Sequence, residues 1–192
     1  MRAYGIYQNI RDSSWQCLLD FKINSLPVDI LKIAHTADIR VIKNSSVDIL
    51  FSDENGRSYY DGNKWYIIYD DTAAVEKARF TIAHELGHIF LGHQLQYVKY
   101  SRTRQVAPTA VSEKQADRFA LRLLCPACVL WGLSISTAEE LAKVCRVDIS
   151  VAQERMKRMK KLYVRDKFLT SSLEKKVFNG FDDYIRSFTP LA

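Results

Sequence analysis

Three of the four histidines in this chain fall within one ten-residue stretch, His84-Glu85-Leu86-Gly87-His88-Ile89-Phe90-Leu91-Gly92-His93. Apolar residues recur at helical spacing up to and through it, at Val75, Ile82, Leu86 and Ile89. A long helix is therefore expected, starting near Asp71 or Thr72, whose side-chain oxygens suit an N-cap, and stopping at Gly92. Residues four apart on a helix share a face, so His84 and His88 can bring two imidazole nitrogens to one metal ion at about 2.0 to 2.1 Å. Glu85 lies on the adjoining face. There its carboxylate can reach a water on the metal without itself coordinating, as a general base must. Ile82, Leu86, Ile89 and Phe90 supply apolar burial, and the low dielectric they create strengthens the electrostatic influence of a metal on its water. The bland alternative is a helix whose histidines decorate a surface or satisfy core hydrogen bonds. With so few histidines in the chain, a chance HExxH register is the rarer explanation. The expected cofactor is one Zn2+ per chain, and the expected chemistry is hydrolysis of a peptide bond.

Two histidines do not complete such a site, which ordinarily has three protein ligands and an open position for water. His93 is five residues past His88, a step that turns it off the shared face, and Gln94 breaks the HExxHxxGxxH spacing of metzincins. Glu113 opens the next expected helix, where it could face back and complete a His2Glu set. Its plain alternative is a first-turn glutamate favoured by the helix dipole. Asp117, one turn further on, is placed to accept a hydrogen bond from the free ring nitrogen of a metal-bound histidine, in competition with ordinary ion pairs to Arg118 or Arg122. Tyr97, Tyr100 and His93 are candidates to donate to the tetrahedral oxyanion.

Around this helix the sequence reads as α+β. Apolar spacing predicts a helix from Tyr7 to about Phe21 and a second from Pro27 toward His35. Four short β-branched or aromatic runs follow, Ile39 to Ile42, Asp48 to Phe51, Arg57 to Tyr60 and Trp65 to Tyr69. They predict a small, largely antiparallel sheet packed on the active-site helix, with a hairpin around Asp61-Gly62. A polar, basic loop is expected from Gln94 to Ser112, then a helix from Glu113 to about Leu124 capped by Ser112 and broken at Pro126. Further helices are expected over Thr137 to Val144, Ser150 to Leu162 and Ser172 to Phe188. The expected organisation is a zincin-like metallopeptidase domain over residues 1–135 and a helical extension over 136–192, packed on the same domain. At 192 residues, 47% hydrophobic and 26% charged, the chain can bury a full core. It has no secretory apolar region near its start and no run approaching the roughly 18 apolar residues that span a bilayer, so a cytoplasmic location without membrane attachment is expected.

Two strings, Arg79-Phe80-Thr81-Ile82-Ala83-His84-Glu85-Leu86-Gly87-His88-Ile89-Phe90-Leu91-Gly92-His93 and Glu113-Lys114-Gln115-Ala116-Asp117-Arg118-Phe119-Ala120-Leu121-Arg122-Leu123-Leu124-Cys125-Pro126, resemble the ImmA/IrrE family of metallo-endopeptidases. The second is similar to the family's E-x-x-A-x-x-F-A-x-x-L-L-M-P stretch, with Cys125 in place of Met, a soft apolar exchange. Weaker similarity through Trp15 and Leu26-Pro27-Val28 extends the match to roughly residues 7 to 130. The resemblance implies His84, His88 and Glu113 as zinc ligands and Glu85 as the catalytic residue. It also implies a partner: family members often cut a helix-turn-helix repressor encoded beside them on phages or integrated elements.

Other signals weigh less. Cys125-Pro126-Ala127-Cys128 is a lone CxxC amid apolar neighbours, better read as buried thiols than as a metal or redox pair, and four cysteines are too few for a disulfide scaffold. Residues 137–159 faintly resemble a helix-turn-helix, with Arg155, Lys157, Arg158, Lys160 and Lys161 on or after its second helix. The turn lacks glycine, so a helical hairpin used for packing or partner docking is the preferred reading. A net charge of +6 suits acidic partners or nucleic acid but is equally a solubility feature, which leaves direct nucleic-acid binding the lesser expectation. The competing function is a regulatory module that keeps the zinc fold and acts by docking protein or DNA. An intact Glu85 argues for the enzyme, because a purely structural site has no use for a base there.

Overall fold

The structure is a computed structural model that describes residues 9–93 and 109–188. Tyr7, and the polar segment with Tyr97 and Tyr100, lie outside the described residues. The described chain divides into two compact units, one holding the residues up to Ser13 and Ile30–Ala120, the other Ser14–Asp29 and the residues from Leu121.

In the first unit, α1 (Ile10–Asp20) begins where Asn9 Oδ1 accepts from the Asp12 backbone N–H at 2.9 Å, an N-cap geometry, and continues into the second unit. The helix α2 (Ile30–Thr36) buries Ile30, Ile33 and Ala34, the inner stripe that its 3–4 spacing dictates. Three strands follow, β1 (Ile39–Lys43), β2 (Gly56–Tyr60) and β3 (Trp65–Tyr69), in the order β1-β3-β2. β2 and β3 form the expected antiparallel hairpin, with Tyr60 opposite Trp65. Its turn is held by Asp61, whose Oδ1 accepts from the N–H groups of Asn63 at 2.8 Å and Lys64 at 2.7 Å, while Gly62 takes φ 99°. β1 pairs with β3 in parallel, Ile39 opposite Trp65, so the small sheet is mixed. β3 is the central strand and the most apolar, with Trp65, Ile67 and Ile68 buried.

Residues 48–51 do not form the expected strand. Asn44 Oδ1 accepts from the N–H groups of both Ile49 and Leu50 at 3.0 Å, removing two donors from any ladder, and Phe51 is 68% exposed. The loop returns the chain from β1 to the far side of β3.

The long helix, α3 (Val75–Leu91), starts later than expected, with Ala74 at the N-cap and no capping side chain. Both expected cap residues are otherwise engaged: Thr72 N and Oγ1 donate to Asp70 Oδ1, and Asp71 accepts from Ser45 N and Oγ. Its end is the predicted one. Gly92 sits at φ 74°, and the N–H groups of Gly92 and His93 reach back to the carbonyls of Ile89 at 3.2 Å and His88 at 3.1 Å, a Schellman motif. The next helix, α4 (Ala110–Leu124), begins three residues before Glu113, with Thr109 Oγ1 accepting from the Ser112 N–H at 3.2 Å. Ser112 therefore lies in the first turn rather than at the cap.

The second unit is helical. Pro126 precedes α5 (Ala127–Gly132), which is followed by α6 (Ala138–Cys145), α7 (Ile149–Arg165), α8 (Ser172–Gly180) and α9 (Asp182–Ser187). Thr137 and Glu140 make a reciprocal capping box on α6, Asp148 caps α7, and Ser171 caps α8. The single helix expected over 172–188 is broken at Phe181, which is 1% exposed. A Cβ on Gly132 would meet Phe178 Cε2 at 2.7 Å and Ile185 Cδ1 at 3.0 Å, so α5 receives a side chain from each of the two short helices. All four cysteines are free and buried, and burial pushes the Cys128 thiol up to about 12, which bears out the reading as core thiols. Arg155 departs from the expected solvated basic face: it is 5% exposed and its Nε donates to the Cys125 carbonyl at 2.9 Å. Among the described residues no helix is long and apolar enough to cross a membrane.

Candidate metal centre

The candidate metal centre lies in the first unit. One helical turn separates His84 from His88 on α3, and their Nε2 atoms stand 3.0 Å apart. Glu113, from the first turn of α4, places Oε2 3.2 Å from His84 Nε2 and Oε1 3.2 Å from His88 Nε2. The ligating atoms of these three residues all lie within 4.8 Å of one another, a group that could hold a metal ion. Donors bound at about 2.0 to 2.2 Å around a tetrahedral ion stand roughly 3.3 Å apart, so the observed triangle has the size that ion needs. Its chemistry fits as well, two imidazoles and a carboxylate being a donor set suited to zinc.

Gly87 makes the approach of the two helices possible. A Cβ there would lie 3.2 Å from both Cα and O of Ala116 and 3.3 Å from Phe119 Cδ1, so glycine lets the backbones of α3 and α4 come close enough for Glu113 to reach the histidines. Phe90 and Phe119 meet edge to face nearby, centroids 6.2 Å apart, and seal the contact.

His84 Nδ1 lies 2.9 Å from Asp117 Oδ1, the partner anticipated for it. Burial opposes protonation of His84, but the hydrogen bond to Asp117 and the charges of Glu85, Asp117 and Glu113 outweigh it and raise its pKa. His88 is different. Burial first, and then the neighbouring charges of His84 and His93, hold it down to about 3, so the ring stays a neutral donor.

Glu85 lies outside the triangle. Its carboxylate is buried, 8% exposed, and Oε2 accepts from Ser58 Oγ at 2.6 Å. Burial pushes its pKa up, against the lowering effect of the Ser58 bond and the His84 charge. Gly56 opens the space: a Cβ there would collide with Thr81 Cγ2 and lie 3.1 Å from the Ile68 carbonyl, with Glu85 Cγ at 3.7 Å. Ser58 was not singled out in the sequence. The available signal was its place at the inward-facing position of β2, where a hydroxyl among aromatic neighbours must find a polar partner.

His93 is neither in the triangle nor in front of it. Because the chain leaves the helix at Gly92, His93 folds back behind His88, with Nδ1 3.1 Å from His88 Nδ1 and Nε2 3.0 Å from Gln115 Oε1. It is 7% exposed. That position removes His93 both as a third donor and as an oxyanion donor, and it brings in Gln115, which sequence reasoning passed over. In the hairpin beside α3, β3 is paired on both sides and β2 is an edge of the sheet.

A search of curated proteins gives no match. The IrrE N-terminal-like domain, Peptidase M78, matches residues 34–157, nearly two thirds of the chain. The match starts later than the sequence resemblance to residues 7–130 and runs further, through α6 into α7. It takes in the sheet, both helices of the metal centre and every residue of the His84, His88 and Glu113 group. The chain belongs to the IrrE N-terminal-like, Peptidase M78 family of metallopeptidases.

Proposed function

We propose that the protein is a zinc endopeptidase that cuts a peptide bond in one specific intracellular protein, a helix-turn-helix repressor of a mobile element. His84, His88 and Glu113 hold the zinc, and Glu85 is the catalytic residue. The observation that carries this reading is the placement of Glu85: a buried carboxylate beside the three-donor group, outside it, and held by Ser58. A site that only stabilised the fold would have no need of it.

Zinc bound there supplies a Lewis acid that brings the pKa of a water toward 7 and polarises the scissile carbonyl. Glu85 takes the proton of the attacking water and delivers it to the leaving amine, and its raised pKa suits both halves of that transfer. The hydrogen bond from Ser58 Oγ to Oε2 fixes the orientation of the Glu85 carboxylate. Asp117 holds the His84 ring by Nδ1 and keeps Nε2 turned to the metal. An extended substrate segment adds a strand to β2, Gly56–Tyr60, with main-chain hydrogen bonds beside α3.

The repressor as substrate is supported by the resemblance of the His84 and Glu113 strings to the ImmA/IrrE family. The test is incubation of the protein with the helix-turn-helix repressor encoded beside its gene. The expected result is cleavage at one position by the wild type and none by Glu85→Gln, with zinc retained in the variant. If biological activity survives in Glu85→Gln, the docking-module reading replaces the peptidase.

A further inference from the structure

His84 and His88 face the same triangle, but their far nitrogens have different partners. His84 Nδ1 meets a carboxylate, Asp117, which can only accept. His88 Nδ1 meets another imidazole, His93, which can do either, and His93 in turn meets an amide, Gln115. His88 is thereby linked to Gln115 through the ring of His93.

We propose that Gln115 and His93 act as a positioning pair that sets the tautomer of His88 and so makes its Nε2 available to the metal; the proposal rests on the zinc reading above. The chain of assignments runs from the amide inward. Gln115 presents Oε1 to His93 Nε2 at 3.0 Å, so His93 carries its proton on Nε2 and donates it to Gln115. His93 Nδ1 is then a bare acceptor. It lies 3.1 Å from His88 Nδ1, which therefore carries the proton and donates it. What remains on His88 is a lone pair at Nε2, 3.0 Å from His84 Nε2 and 3.2 Å from Glu113 Oε1. Turned end over end, the amide would donate instead, each proton would pass to the other side of its ring, and His88 would aim an N–H into the triangle.

The fold holds the relay in place at both ends. His93 is fixed by the backbone, since its N–H closes on the His88 carbonyl in the Schellman turn around Gly92, so the same two residues are joined once through the main chain and once through their rings. A hydrophobic contact usually accompanies this turn between the same two positions, and here a hydrogen bond between imidazoles takes its place. Gln115 stands on α4 two residues after Glu113, so the helix that supplies the carboxylate ligand also supplies the end of the relay.

The test has two arms. In zinc-free wild-type protein, long-range 1H–15N correlation spectra of the imidazoles should show His88 protonated at Nδ1 and His93 at Nε2. A proton on His88 Nε2 overturns the proposal, and this arm does not depend on whether zinc binds at all. In the second arm, zinc dissociation constants are measured by chelator competition. Gln115→Met, which removes the acceptor at a half-buried position, should weaken zinc by about 10- to 100-fold, the usual effect of losing such a partner, while Gln115→Glu, which can only accept, should restore wild-type affinity or better. Equal zinc affinity in wild type and Gln115→Met overturns the proposal. Absence of zinc binding by the wild type would instead defeat the zinc reading, while the spectra would still decide the relay.

Discussion

Ser58 Oγ donates a 2.6 Å hydrogen bond to Glu85 Oε2, and both groups are buried. The bond joins an edge strand to the helix that carries His84 and His88, and together with a backbone hydrogen bond from Ser58 and the charge of His84 it opposes the effect of burial on the Glu85 pKa. Removing it leaves a carboxylate more reluctant to ionise.

Ser58→Ala should therefore move the acid limb of kcat/KM, below which Glu85 is protonated and cannot act as a base, to higher pH. The sign follows from the causes: burial raises this pKa, the Ser58 bond lowers it, and only the lowering contribution is lost. A hydrogen bond to a charged group contributes about 1.5–3 kcal/mol, so the limb should move up by roughly one to two pH units and the rate on its acid side should fall about tenfold or more. The pH–rate profile of the variant checks both effects, and an acid limb that stays in place contradicts the role given to Ser58.

Gly87→Val should push α3 away from α4. Helix propensity alone would favour replacing a mid-helix glycine, by up to about 1 kcal/mol, but the new side chain meets backbone atoms of Ala116 already 3.2 Å from a Cβ. Overpacking of this kind costs about 1–3 kcal/mol, so the net effect should be destabilising. Denaturant titration with and without zinc should show reduced stability and a smaller stabilisation by the metal.

Gly92→Ala meets no crowding, since nothing lies within 4 Å of a Cβ there, so its cost is conformational alone. An L-residue at φ 74° loses about 1–2 kcal/mol. Gly180→Ala, likewise uncrowded and in ordinary helical backbone, should be neutral or slightly stabilising. Thermal unfolding of the two variants should move in opposite directions or differ clearly in size.

Cys17, Cys125, Cys128 and Cys145 should not react with an aromatic disulfide reagent at pH 8 until the protein unfolds. All four are buried, and the pKa of Cys128, about 12, leaves almost no thiolate at that pH. Reaction of a native thiol within minutes would contradict their place in the core.

The sequence carried the site better than it carried the sheet. His84, His88 and Glu85 were legible because a helix converts a four-residue spacing into one face, a rule that needs no tertiary information. Gly92 was legible as a stop for a similarly local reason. Residues 48–51 looked like a strand because β propensity counts apolar residues, and the pattern cannot see that Asn44 takes two of their N–H groups. Asp71 looked like a cap, yet Ser45, distant in sequence, uses its carboxylate. His93 was rotated off the face by helical arithmetic that ceased to apply one residue earlier, at the left-handed Gly92. Ser58 and Gln115 were invisible for a common reason: each acts through a partner brought to it only by the packing of a strand or a helix against α3.

The central claim is a zinc held by His84, His88 and Glu113, and the most direct test is the metal content of purified wild type and Glu113→Ala after extensive dialysis, by elemental analysis. The account predicts about one zinc per wild-type chain and a sharp reduction in the variant. Wild-type protein without zinc after metal reconstitution, or a variant that keeps its full complement, would contradict it.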